Sequence, residues 1–198
     1  QTVGRTASGT RHAKLREVVH QDMWHYDSIA ADLSGFDACF FCLGVSAAGM
    51  TAADYERVTY GITLAAAETL CRLNPEMTFV YVSGAGTDSS ERGRSMWARV
   101  KGKTENALLR LPFKAAYMFR PAVIEARYGE RSKTPAYRVL YSLLKPLLPL
   151  LRRLMPSSMV TTEQLGRAMV AVAKQGASKR ILESKDIRAI GATVGAIG

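Results

Sequence analysis

The sequence predicts an α/β domain: a doubly wound parallel sheet with helices on both faces. Three observations carry that expectation. Short apolar runs alternate with longer segments of helical period. Three of the runs, "FDACFFCLG", "MTFVYVSG" and "FKAAYMFRP", are continuous and closed by glycine or proline, as in strands buried on both faces. Capping signatures mark where several of the intervening helices open.

The elements follow in order. "QTV", ahead of Gly4 and Arg5, reads as the end of a strand. "LREVVHQD" reads as a short strand ending near Asp22, and "SIAADLSG" as a short helix stopped by Gly35. "FDACFFCLG" is the next strand. Thr51 with Asp54 opens a long helix over 51–73, with Val58, Ile62, Leu64, Ala65 and Leu70 among its apolar positions; Pro75 follows its end. "MTFVYVSG" leads to a helix over 95–110 that Ser95 is placed to cap, and "FKAAYMFRP" ends at Pro121. "PAYRVLYSLLKPLLPLLRRLMP" reads as an apolar helix pair broken at Pro146 and Pro149. Thr161 with Gln164 opens another helix that ends before Gly176, and "RILES" reads as a short strand with a brief helix after it.

The 198 residues suit one domain, 1–198, with 121–160 inserted on the substrate side as a lid or pocket wall. A hydrophobic fraction of 47% can fill a core. The formal charge of +10 favours anionic partners, although the basic residues are dispersed as on a solvated surface. Three cysteines make no disulfide framework, and a reducing cytoplasm is the expected location. No signal-peptide pattern is visible, and the start "QTVGRTASG" reads as cut from something longer.

Ligands of parallel sheets sit at the carboxyl ends of the strands. Those ends read "VGR", "HQD", "CLGVSAAG", "VSGAG" and "FRPAVI", and their small residues allow close backbone approach. Ordinary turn glycines would explain one such loop; several in succession favour a nucleotide crevice. On the helix from Ser95, Trp97, Lys101 and Glu105 lie four apart along one face. Ser83 ends the preceding strand, so its hydroxyl is expected at the mouth of the crevice. A lysine beside a strand-end serine suits ribose hydroxyls and lowers the pKa of a neighbouring acid. By spacing alone, a lysine on a solvated helix face is an equal alternative.

The block "FVYVSGAGTDSSERGRSMWARVKGKTENAL" resembles the segment of short-chain dehydrogenase/reductases that carries Ser and then Tyr-x-x-x-Lys. It is closer to their atypical, NAD(P)-binding, nucleoside-diphosphate-sugar epimerase-like branch, which includes the Tat-interacting-protein oxidoreductases. "FDACFFCLGVSAAG" is similar to the fourth strand and loop of that branch, "RVTYGITLAAAETL" to the helix that follows, and "YMFRPAVI" to a later strand with its Arg-Pro turn. The resemblance implies a Rossmann-type fold, NADP or NAD as cofactor, and an oxidoreductase or epimerase-like activity on a small carbonyl, alcohol or nucleotide-sugar-like substrate. It implies Ser83 as the catalytic serine and Lys101 as the lysine that holds the nicotinamide ribose. Gly4 and Arg5 fall at the second strand's end, Arg5 where a guanidinium would meet the 2′-phosphate of NADP. Asp22 would contact adenine; Leu43, Gly44 and Val45 would line the adenosine ribose; and Arg120, Pro121, Ala122 and Val123 would approach the nicotinamide amide.

Two departures qualify the resemblance. Trp97 stands in the tyrosine's place, and an indole transfers no proton as a phenol does. That substitution supports the alternative of a non-catalytic dinucleotide-binding redox sensor or assembly factor. The first strand and its Gly-x-x-Gly-x-x-Gly turn, which would hold the pyrophosphate, are expected upstream of Gln1. The late "GATVGAIG" does not join a strand to a helix and is not assigned that role.

Other motifs read as structural. Cys39 and Cys42, three apart on a strand, face opposite sides and are expected in core packing. His12, His20 and His25 have no companion ligands at metal spacing, so no metal is expected. Arg92, Arg94, Arg99, Lys101 and Lys103 lack interleaved aromatics, so nucleic acid is not expected as a partner. Residues 137–154 are too short and broken to span a membrane. They rank as a lid or pocket wall first, a homo-oligomer contact second and a peripheral membrane contact third.

Overall fold

The computed structural model describes residues 1–125 and 159–193. Its elements run β1 (Thr2–Gly4), β2 (Glu17–Val19), a 3-10 helix (Asp27–Leu33), β3 (Ala38–Phe41), α1 (Ala52–Glu56), a π-helical turn (Arg57–Gly61), α2 (Ile62–Leu73), β4 (Thr78–Val82), α3 (Met96–Arg110), β5 (Ala115–Arg120), β6 (Val123–Glu125), β7 (Met159–Thr161), α4 (Thr162–Gln175), β8 (Ile181–Glu183) and α5 (Ser184–Thr193).

All strand pairs among the described residues are parallel. A four-stranded sheet has the order β3-β4-β5-β8, and two-stranded sheets pair β1 with β2 and β6 with β7. The pleat sends alternate side chains to opposite faces. Phe79 and Tyr81 of β4, with Ala116 and Met118 of β5, pack against Ala66, Ala67 and Leu70 of α2 and Leu108 of α3. Val80, Tyr117 and Phe119 point the other way, onto Ala168, Met169 and Val172 of α4 and Ile187 of α5. Helices therefore cover both faces of the sheet, as the alternating pattern predicts.

Local signals set several boundaries. Thr51 Oγ1 accepts from the Asp54 amide at 3.1 Å, and Thr161 with Gln164 forms a reciprocal capping box. Ser95 occupies the N-cap of α3 without a side-chain capping bond. Gly35, at φ +82, turns the chain after the 3-10 helix. Asn74 then latches that turn to α2: its Oδ1 accepts from the Gly35 and Phe36 amides at 2.7 and 3.1 Å, and its Nδ2 donates to the Leu33 carbonyl at 2.9 Å.

The fourth-strand expectation needs correction. Among the described residues β3 pairs only with β4, and Phe40 is 42% exposed, so β3 is not buried on both faces there. A continuous apolar run shows that a strand is apolar on both sides but not where it stands in the sheet. Most of the inserted segment, including 137–154, lies outside the described residues. So does most of "GATVGAIG". The flanks of the insertion, β6 and β7, pair with each other.

Candidate functional site

Register aligns Phe41, Tyr81, Met118 and Ile181 across the four-stranded sheet. The chain therefore leaves β3, β4 and β5 side by side at one edge. That edge gathers Leu43, Gly44 and Val45, then Ser83, then Arg120, Pro121, Ala122 and Val123, and α3 brings Lys101 back to it. Leu43 and Val45 are exposed. A Cβ built on Gly44 or Gly84 meets nothing within 4 Å, so the space beside these two strand ends is open. Gly4, Arg5 and Asp22 stand at the corresponding ends of β1 and β2, in the separate two-stranded sheet. The Arg5 side chain is exposed, and its carbonyl accepts from Gln21 Nε2 at 2.6 Å. Asp22 serves its own turn. It pairs with His25 Nδ1 at 2.8 Å and accepts from the Trp24 amide at 2.8 Å, and these bonds hold its carboxyl below the usual range.

The centre of the site is a polar network. The Lys101 ammonium donates to the Ser83 carbonyl at 2.6 Å and stands 6.0 Å from the centroid of the Tyr81 ring. Burial pushes its pKa down, and the Glu105 charge one turn along α3 opposes that. The Ser83 amide donates to the Phe119 carbonyl at 2.9 Å. The Ser83 hydroxyl donates to Glu105 Oε1 at 2.5 Å. Glu105 is fully buried and takes Arg120 Nε at 3.0 and 3.2 Å and Nη2 at 2.5 Å. Arg120 reaches on to Ser89 Oγ at 2.6 Å and to Glu183 at 3.5 Å.

The Ser83 hydroxyl and the Arg120 guanidinium both turn onto the Glu105 carboxylate. The cause is the Glu105 carboxylate, because a charge with no access to water must be paired and hydrogen-bonded. Spacing does put Glu105 on the Lys101 face of α3. Its partners lie on two other strands, and no local pattern announces them.

The loop between β4 and α3 is tied down along its length. Asp88 accepts from the Ser90 hydroxyl at 2.6 Å and from the Gly93 amide at 2.6 Å, and these bonds lower its pKa. Asn106 Nδ2 holds the Ser89 carbonyl at 3.0 Å, and Arg99 holds the Gly93 and Arg94 carbonyls at 2.7 and 3.0 Å. Gly86, at φ +84, lies under the Trp97 ring: a Cβ built there would stand 3.5 Å from the indole. Trp97 therefore packs on the loop after β4.

Cys39 is partly buried, and burial lifts its thiol to about 12; Cys42 is exposed, which corrects its expected place in the core. The cysteines face apart, but only one of those faces is covered among the described residues. Arg99 and Lys103 spend their charge locally, Lys103 on Glu56 at 2.5 Å and over the Tyr60 ring at 4.8 Å. Among the described residues no three His, Cys, Asp or Glu side chains cluster as metal ligands, and no helix is long and apolar enough to cross a membrane.

The fold is an α/β fold of the Rossmann type. The crystal structure of gox2253 superposes with a TM-score of 0.57 at 13% identity, covering 92% of this chain and 63% of that one. The structure of RMD from Pseudomonas aeruginosa complexed with NADPH gives 0.57 at 12% identity, covering 89% and 71%. In sequence the chain is 31% identical over 136 residues to "Protein FMP52-2, mitochondrial" of Scheffersomyces stipitis. That alignment covers 67% of this chain and 56% of the relative, so the chain spans little more than half of that protein's length. No family model matches the chain.

Proposed function

We propose that this chain binds a nicotinamide dinucleotide, NADP(H) in preference to NAD(H), as part of an atypical short-chain oxidoreductase. The observation that carries the reading is Lys101. Its ammonium is tethered to the end of β4, at the carboxyl edge of a parallel sheet of this fold. Such an ammonium has two further N–H donors for a ribose diol. The residues present fit the cofactor in kind: open space beside Gly44 and Gly84, an exposed guanidinium at Arg5, and Leu43 and Val45 free to cover a nucleoside. RMD, a neighbour in fold, was crystallised with NADPH, which supports the same choice of ligand.

When bound, the cofactor supplies hydride chemistry. This chain's part is to hold the ribose through Lys101, meet a 2′-phosphate with Arg5, and line the nicotinamide end with Pro121, Ala122 and Val123. The substrate on this reading is a small carbonyl, alcohol or nucleotide-sugar-like molecule. The three free cysteines suit a reducing compartment such as the cytoplasm.

Titration with NADPH and NADH, followed by nicotinamide fluorescence, tests the proposal. We expect binding of NADPH that weakens on Arg5→Ala by about tenfold more than binding of NADH, the size of one charge-assisted contact. Equal losses remove Arg5 from the phosphate site; no binding of either dinucleotide ends the reading.

Binding without turnover is the second reading. It is favoured by Trp97, which packs on Gly86 where the resembling enzymes carry a phenol, and by Ser83, whose hydroxyl donates its hydrogen bond to Glu105. A panel of carbonyl substrates separates the two readings: oxidation of NADPH supports the enzyme, and tight binding with no oxidation supports the sensor.

A further inference from the structure

Ser83 uses every polar group it has inside the protein. Its amide is bound to the Phe119 carbonyl, its carbonyl to the Lys101 ammonium, and its hydroxyl to Glu105 at 2.5 Å, with the Phe119 carbonyl a longer second acceptor at 3.2 Å. A serine committed in this way acts as a bracket, and what it brackets is the lysine. The hydroxyl is held by a carboxylate with 0% exposure, and that carboxylate is itself held by three contacts from Arg120. Arg120 remains charged at any working pH, so Glu105 has a permanent counter-ion. Charge-assisted hydrogen bonds are the strongest available for fixing an oxygen in place.

We propose that Glu105 is a positioning residue for Lys101: paired with Arg120, it captures the Ser83 hydroxyl and so fixes the Ser83 carbonyl that anchors the Lys101 ammonium. Ser83 on this view is not a substrate-facing group. The chain of contact is Arg120 to Glu105 to the Ser83 hydroxyl, and from the Ser83 carbonyl to Lys101. It joins β5, α3 and the end of β4. Arg120 also carries the device to Ser89, so the loop that Trp97 packs against is tied to the same carboxylate. The alternative is a Glu105–Arg120 pair that only joins helix to sheet. It predicts lost stability on mutation but no change in Lys101 itself.

The proposal rests on the dinucleotide reading only for its consequence in binding, so two readouts are used. The first is acetylation of Lys101 by limiting acetic anhydride, measured by mass spectrometry against exposed Lys114 in the same molecule. The second is NADPH binding by fluorescence. Variants are Ser83→Ala, Ser83→Thr and Glu105→Gln, each first shown to be folded by circular dichroism. Ser83→Ala and Glu105→Gln are expected to raise the Lys101/Lys114 labelling ratio about fivefold and to weaken NADPH about tenfold, as for loss of one charge-assisted hydrogen bond. Ser83→Thr keeps a hydroxyl and should restore both. A substrate-facing serine would leave cofactor binding untouched in the absence of substrate. A folded Ser83→Ala protein with an unchanged labelling ratio overturns the proposal. If Glu105→Gln does not fold, Ser83→Ala with its threonine rescue decides alone. If the unaltered protein binds no NADPH, the dinucleotide reading falls, and the labelling ratio still decides the role of Glu105.

Discussion

At the scale of single residues, buried polar atoms separate into the paired and the orphaned. Glu105 has all its partners. Thr59 Oγ1, in the π-helical turn, is buried and has none among the described residues. A hydroxyl taken from water without a new hydrogen bond costs about 1–3 kcal/mol. Thr59→Val keeps the shape and removes the orphan, so it should leave stability unchanged or raise it by about 1 kcal/mol. Urea unfolding measures this; a loss greater than about 1 kcal/mol would mean that the hydroxyl is bonded in solution. Asp88, by contrast, is held by hydrogen bonds on both carboxylate oxygens. Its pKa is lowered in the folded protein, first by the Ser90 hydroxyl and then by the Gly93 amide. A depressed carboxylate stabilises above its unfolded pKa, near about 4, and loses that contribution as pH falls through the lowered folded value. The loop after β4 should therefore loosen only below about pH 4. Hydrogen exchange at the Gly93 amide reads this directly, and in Asp88→Asn the acid step should be gone.

At the scale of elements, the loop after β4 is pressed onto α3 by the absence of a side chain. A Cβ on Gly102 would run into the Asp88 carbonyl, which is backbone and cannot rotate away. Gly102→Ala gains helix propensity of about 1 kcal/mol, but the overlap forces helix and loop apart at a cost of about 1–3 kcal/mol or more. The expected outcome is a net destabilisation by thermal unfolding together with weaker NADPH binding, since Lys101 is the preceding residue. A variant that is more stable, with unchanged binding, would show that the loop does not dock there. This contact illustrates what the sequence could reveal. The helices opened by Thr51 and Thr161 and the strands β4 and β5 were legible, because capping and apolar runs are local signals. The spacing of Lys101 after a strand-end serine left a solvated helix face as an equal reading, and its proximity to Ser83 shows only in the fold. The inward turn of Ser83, the Glu105–Arg120 pair and the need for glycine at 102 depend on contacts across 14 residues or more. The exposure of β3 depends on its neighbours.

At the scale of the molecule, stability is divided between two apolar clusters on the two faces of the four-stranded sheet. β4 and β5 supply side chains to both, and Phe79, Val80, Met118 and Phe119 are all 0% exposed. No residue of β1 or β2 belongs to either cluster. Residues 5–14, which join those strands, are exposed throughout. The β1–β2 unit is held mainly by polar ties: Gln1 Nε2 to the Asp32 carbonyl at 2.7 Å, and an exposed Arg16–Asp32 ion pair. Exposed pairs contribute about 0–1 kcal/mol, far less than a buried apolar side chain at about 1.5–3 kcal/mol. The β1–β2 unit should therefore open locally well before the sheet unfolds, with a free energy below the global value. Hydrogen exchange followed by mass spectrometry should find peptides over 2–20 exchanging at least about tenfold faster than those over 78–82 and 115–120. Because Arg5 lies in the first unit and Lys101 is tied to the second, a dinucleotide held by both would join them. Added NADPH should then protect 2–20 more than it protects the sheet. Equal protection of both regions in the free protein would show that β1 and β2 fold as one unit with the sheet.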